Sequence, residues 1–215
     1  MGPIPSSLWT LKKLTLLQLF DNNLVGTIPP EIENLKLLTT FDVSTNQLSG
    51  VLPVNISRLS NLEKLYVDIN TFTGTIPSEI GNLKKLKILE LSENHLTGPI
   101  PNSLLNLKDL TYFAVDTNQL SGELPVNISR LSNLEELFVS PNNFTGSIPS
   151  KIGNLKKLKV LDVSINQLSG ELPKSISSLY NLEAINVVSN NFTGTIPKDF
   201  GKNIPRLNFG HCLSA

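Results

Sequence analysis

Apolar residues recur along this chain at one fixed spacing. In the stretch LKILELSENHLTGPIP, residues 86–101, they stand eight, five and three residues before Asn94 and two residues after it. The same arrangement surrounds Asn22, Asn46, Asn70, Asn118, Asn142, Asn166 and Asn190, each 24 residues from the next, with no slip of register over eight copies. Pairs such as Leu89 and Leu91, or Phe113 and Val115, alternate with polar positions, and that alternation predicts a short strand. Side chains two apart share one face of a strand, so these pairs point inward and the residues between them face solvent. A self-similarity of this period predicts a solenoid of stacked coils, each burying its apolar face against its neighbours.

The polar residues that interrupt the pattern are as regular as the apolar ones. A carboxamide has both donors and acceptors, so one Asn per coil can bond turn backbone that no regular ladder serves. Gly follows four residues after each Asn, from Gly26 to Gly194, and Pro three residues later, from Pro29 to Pro197. Gly lets the chain turn with little bulk, and Pro fixes its exit direction. In the back half of each unit, Ile80, Leu83 and Leu86 are spaced by three, which predicts a 3₁₀ or short helical turn.

The units run 14–37, 38–61, 62–85, 86–109, 110–133, 134–157, 158–181 and 182–205. Residues 1–13 read as a partial N-terminal repeat or cap. Residues 206–215 read as a degraded C-terminal cap, since one residue is inserted near Phe200–Leu207 and no Asn stands at position 214. A second period is visible: Leu48–Asn94 and Leu120–Asn166 share LPVNISRLSNLE three repeats apart, as a duplicated block would.

The elements LSGVLP, FTGTIP, LTGPIP and LSGELP, with IGNLKKL behind them, resemble the plant-specific class of leucine-rich repeat found in the extracellular domains of plant receptor-like kinases. The resemblance implies a β-rich α/β leucine-rich-repeat solenoid. Its form is a right-handed curved superhelix with a concave parallel β-sheet and convex 3₁₀ or short helical turns. It also implies a non-catalytic protein- or peptide-binding module of a ligand-sensing ectodomain, in defence or developmental signalling, or a soluble relative. Such receptors are extracellular or displayed at the cell surface and can engage a co-receptor. Their Cys-containing caps, a secretory signal, a membrane span and a kinase domain have no counterpart in this sequence, and Met1–Pro5 repeats the end of a unit whose strand is absent. The chain therefore reads as a piece of a longer ectodomain or a truncated product, the alternative being a short natural protein with improvised caps.

Charge adds a polarity to this picture. Eighteen basic residues balance eighteen acidic ones, so no net field favours nucleic acid or an anionic membrane. Lys12, Lys13, Arg58, Lys84, Lys85, Arg130, Lys156 and Lys157 fall on the convex turns and read as a solvated face. Asp21, Asp42, Asp68, Glu90, Glu93, Asp116 and Asp162 fall on the strand face, against Lys64 and Lys87 alone. Exposed positions of that face lie four, two and one residues before each Asn. Phe20, Tyr66, Ile69, Phe138 and Ile165 occupy them with large side chains, and Tyr112 lies just upstream in its strand. Aromatics on an open sheet suit recognition, unless they pack on neighbours across the sheet. The candidate ligand-binding residues are thus Phe20, Tyr66, Asp68, Ile69, Glu90, Tyr112, Asp116, Phe138 and Asp162, and a basic peptide or protein is the partner they favour.

Other chemistry is thin. Asn55, Asn127, Asn143 and Asn191 begin N-glycosylation sequons, in a number that chance would supply, and the resemblance is what favours their use. Cys212 has no intrachain partner and reads as a spare thiol, and His95 as a surface residue. No catalytic triad, metal cluster, cofactor loop or nucleotide motif can be assembled, and the spacing of Asp68 and Asp116 is generic to any repeat protein with periodic Asp. Two alternatives use the same scaffold. One is an inhibitor of a secreted hydrolase resembling plant polygalacturonase inhibitors. The other is an ice-binding protein with a Thr column at Thr27, Thr75 and Thr195 and Thr73, Thr145 and Thr193 nearby, broken by Val51, Pro99, Glu123, Ser147 and Glu171.

Overall fold

The strands after each conserved Leu pair strictly with the coil before and the coil behind. In a computed structural model, which describes residues 2–197, Phe200 and the backbone of Arg206–Asn208, nine parallel strands form one sheet in chain order. They run from Leu16–Gln18 through Lys64–Tyr66, Ile88–Glu90, Tyr112–Ala114 and Glu136–Phe138 to Arg206–Asn208. Each residue lies opposite the one 24 positions away up to Ala184–Asn186, as Tyr66 does opposite Glu90. Beyond that the offset is 22, Asn186 facing Asn208. The expected closing unit at 206–215, with Cys212, lies outside the described residues except for that last strand.

Burial explains the spacing. Leu62, Leu86 and Leu110, the paired Leu89 and Leu91, and Phe113 and Val115 are all inaccessible to solvent in one continuous core. Among the described residues, eight 3₁₀ helices line the opposite side, from Ser6–Thr10 to Lys174–Ser178. In seven of them the residue after the preceding Pro opens the helix, and in each the following Leu N–H closes it by bonding three residues back. Lys84 and Lys156 donate to the Gly81 and Gly153 carbonyls, and Lys85 and Lys157 to Asn61 and Asn133 of the coil before. These convex lysines thus satisfy turn carbonyls as well as facing water.

The Asn column is the joint between the two sides. Asn70 accepts the Leu48 N–H at 2.9 Å and donates to Val43 O at 2.9 Å, both in the preceding coil, and to its own Val67 and Asp68 carbonyls. Asn46, Asn94, Asn118, Asn142, Asn166 and Asn190 repeat the two inter-coil bonds. Asn22 departs from the column. It is exposed and donates within its own coil, to Leu19 O and Phe20 O. The first coil is instead flanked by the half repeat, whose Trp9 and Ile4 are buried and whose Gly2–Pro3 pairs with Leu24–Val25.

A second parallel sheet was not foreseen from the sequence. Seven strands from Gly2–Pro3 to Asn143–Thr145, and a further pair at Ser169–Glu171 and Asn191–Thr193, follow the Asn positions. The L-S/T-G signature reads as a turn because six of these strands carry a Gly in the left-handed region, φ +77° at Gly74 for example. A Cβ there would lie 2.9 Å from the Val51 side chain, so Gly serves both the conformation and the close approach of the coil before.

Candidate functional site

The outward rows of the nine-stranded sheet decide what a partner would meet. One row, four residues before each Asn, reads Gln18, Asp42, Tyr66, Glu90, Ala114, Phe138, Asp162 and Asn186. Ala114 is the small member between two large ones and is only 1% exposed. Tyr112, two residues earlier in the same strand, packs across it: its ring centroid is 5.7 Å from that of Phe138, tilted 44°. Its hydroxyl is on the side of the Glu90 carboxylate. Tyr66, Tyr112 and Phe138 are accordingly half-buried rather than fully open to water, because they rest on one another and on the sheet.

Ser44, Tyr66, Asp68, Ile88, Glu90 and Tyr112 together line an open hollow. Burial, reinforced by Glu90 and then Asp42, pushes the Asp68 carboxyl up to about 6. Its Oδ1 is buried with no hydrogen-bond partner. Burial also raises Glu90, against the bond it accepts from Ser92, and raises the phenols of Tyr66 and Tyr112, which stay neutral donors. No cation lines the hollow. Lys87 is committed to Glu63 at 2.8 Å, and the same pairing recurs three coils on as Lys159 with Glu135 at 2.6 Å.

Other sequence-chosen positions stand apart from this cluster. Asp162 is absorbed into the sheet: Ser164 N and Oγ donate to its Oδ1, and Asn186 Nδ2 to its Oδ2. Both of its oxygens thus already accept hydrogen bonds within the sheet. Asp116 accepts Ser92 Oγ at 2.5 Å and is raised by burial, and Phe20 sits exposed on the coil before that of Ser44, outside the hollow. Ile69 is exposed with φ +50°, beside Asp68. Ser44, Ile88 and Ala114 were missed from sequence. The first two carry no outward signal, but Ala114 does, as the one small side chain in a row of large or polar ones.

Among the sequons, Asn143 and Asn191 are exposed at the starts of second-sheet strands. Asn55 is half-buried and donates to Glu33, and exposed Asn127 accepts the Lys151 ammonium. Among the described residues no group of three or more His, Cys, Asp or Glu could hold a metal ion, and no helix is long and apolar enough to cross a membrane.

The leucine-rich-repeat family models match residues 60–120 and, as single repeats, residues 13–35, 37–59, 133–155, 157–179 and 181–203. The chain belongs to the leucine-rich-repeat family. Among solved leucine-rich-repeat structures it is similar to the ectodomain of the Arabidopsis thaliana membrane receptor kinase GASSHO1/SCHENGEN3, solved with CASPARIAN STRIP INTEGRITY FACTOR 2. The identity is 42% over 91% of this chain and 24% of that one, with a TM-score of 0.89. It is also similar to the Arabidopsis receptor kinase HAESA, solved with the peptide hormone IDA and the co-receptor SERK1, at 35% identity over 99% and 36%, TM-score 0.90. A plant ice-binding protein matches at 30% identity over 100% and 69%, TM-score 0.81. The repeats therefore span about a quarter to a third of the two receptor ectodomains. No curated protein sequence matches the chain.

Proposed function

We propose that this chain is a non-catalytic recognition module, part of the ligand-sensing ectodomain of a plant receptor-like kinase, which binds an extended basic peptide across its strand face. The observation that carries the reading is the strip Tyr66, Glu90, Tyr112 and Phe138. It is an aromatic and acidic surface on a sheet face that no element among the described residues covers, with Lys87 nearby paired to Glu63. Aromatic side chains there supply contact area at low entropic cost, and carboxylates select a cationic partner. The receptor kinase HAESA, similar to this chain, was solved with a peptide hormone, which supports the class of ligand. A co-receptor is the expected second partner, the compartment is extracellular, and exposed Asn143 and Asn191 are the sequons most open to a glycan. Defence and development both remain within this reading. The test is capture of peptides by the intact chain. The double variant Tyr66→Ala, Phe138→Ala is expected to lose at least about tenfold in affinity, and unchanged binding to every captured peptide would overturn it.

A second reading, ice binding, is favoured by the match that spans 69% of a plant ice-binding protein. Against it, Thr73, Thr97 and Thr145 turn their hydroxyls back toward the carbonyls of Gly50, Gly74 and Gly122, and Pro99, Glu123 and Glu171 interrupt the neighbouring row. An ice-recrystallisation assay separates the two, and peptide recognition predicts no inhibition.

A further inference from the structure

The hollow between Tyr66 and Tyr112 differs from the rest of the sheet face in one respect: one of its carboxylates, Asp68, has a buried oxygen with no hydrogen-bond partner. Elsewhere the face supplies hydrogen-bond donors to its own carboxylates. Asp42 takes Ser44 N and Oγ, Asp162 takes Ser164 and Asn186, and Asp116 takes Ser92. Asp68 has no such donor, and its Oδ1 is enclosed without a partner. The groups facing it are all acidic or phenolic: Asp42, Tyr66, Glu90 and Glu93. Lys64, on the strand of Tyr66, acts on Glu63 instead. The walls are two phenol rings, of which Tyr112 is packed against Phe138.

We propose that this hollow is the subsite for a single cationic side chain, lysine or arginine, of the peptide ligand, seated between the Tyr66 and Tyr112 rings against Asp68 and Glu90. This rests on the module reading above and deepens it by naming the point at which the ligand's charge is read. Two tyrosine faces favour a cation as well as a methylene stem, and the carboxylates complete its hydrogen bonds. An apolar ligand side chain would leave Asp68 buried without compensation. Occupancy also depends on pH. Asp68 is ionised above about 6, so the cation binds more weakly as pH falls through that value, and Glu90, raised in the same direction, adds to the loss.

The probe is N-acetyl-arginine N-methylamide titrated into the full chain, followed by NMR shifts of the Tyr66 and Tyr112 rings, with the norleucine analogue as control. Saturable shifts confined to these rings are expected for arginine, with none for norleucine. Asp68→Asn at pH 7.5 should weaken binding about three- to fivefold, and wild type at pH 5 should approach that variant. Asn is the isostere of the protonated acid, so this variant leaves folding intact. Equal binding of norleucine, or indifference to both Asp68→Asn and Glu90→Gln, overturns the subsite. If captured peptides still require Tyr66 and Phe138 in that case, the module stands and only the cation pocket falls. Conversely, arginine shifts at these rings without any peptide captured would retain the pocket and remove the peptide reading.

Discussion

Tyr112 and Phe138 sit on adjacent strands but not in directly opposed positions. Tyr112 faces Glu136, and Phe138 faces Ala114, so the ring contact at 5.7 Å is a diagonal one made over an alanine. The small side chain is what lets two large ones meet. Replacing Ala114 with Leu should break the contact by filling the space, whereas Phe138→Ala removes it directly. A double-mutant cycle between Tyr112→Ala and Phe138→Ala is expected to give a coupling of about 1 kcal/mol in thermal unfolding. A coupling indistinguishable from zero would mean that the rings are independent and that the strip is not preorganised.

Asp68 should make the chain more stable in mild acid than at neutrality. Its folded-state value of about 6 lies above that of an unfolded aspartate, so the folded state holds the proton more tightly. Its contribution is complete below the unfolded value and is lost as pH rises through 6. Denaturant unfolding of Asp68→Asn against wild type should show the variant more stable by about 1 kcal/mol at pH 7.5, after discounting for the partly exposed carboxyl, and no difference near pH 4. A difference independent of pH would contradict the burial of the charge.

The Asn column predicts a sharp contrast between two chemically identical substitutions. Asn94→Ala strips an acceptor from the Phe72 N–H and donors from the Val67, Leu91 and Ser92 carbonyls, all in the interior. That should cost about 2 to 4 kcal/mol. Asn22→Ala, at an exposed site bonding its own coil, should cost under about 0.5 kcal/mol. Chemical denaturation of the two variants side by side checks the difference.

Close approach of the 3₁₀ turns rests on two glycines. A Cβ on Gly81 would stand 2.2 Å from Ser103 O, and one on Gly153 2.1 Å from Ser175 O, in each case against backbone. Gly81→Ala should therefore destabilise by at least about 2 kcal/mol, despite alanine's higher helix propensity. If it raised the melting temperature instead, the coils would have more slack on this side than the geometry allows.

Ile165 lies exposed with φ +41°, a left-handed conformation that suits Asn or Gly and penalises a β-branched residue. Ile165→Asn should stabilise the fold by about 1 kcal/mol. Thermal unfolding tests it, and a loss of stability would show that the side chain makes contacts worth more than the strain.

The repeat, its register and its buried columns were legible because they rest on spacing alone: Leu86, Leu89 and Leu91 declare their inward direction through period and alternation. The second sheet was hidden because Gly74 and its equivalents look like turn residues until their pairing with the next coil is seen. On the strand face, the sequence marked Tyr66, Tyr112 and Phe138 by size. It did not reveal that Asp162 accepts hydrogen bonds from Ser164 and Asn186 while Asp68 is left alone, since that depends on which rotamer reaches which neighbour. The left-handed backbone at Ile69 and Ile165 was equally invisible, since neither side chain prefers it.

Strand partners along the main sheet are always consecutive coils. The molecule's reach is therefore a modular quantity. Splicing in one more whole unit of 24 residues would lengthen the face by about 4.8 Å and leave every other joint as it was. An insertion of any other length within a strand would throw all later rows out of step. Evolution or an engineer can thus extend the span available to a longer partner without redesigning a single existing contact.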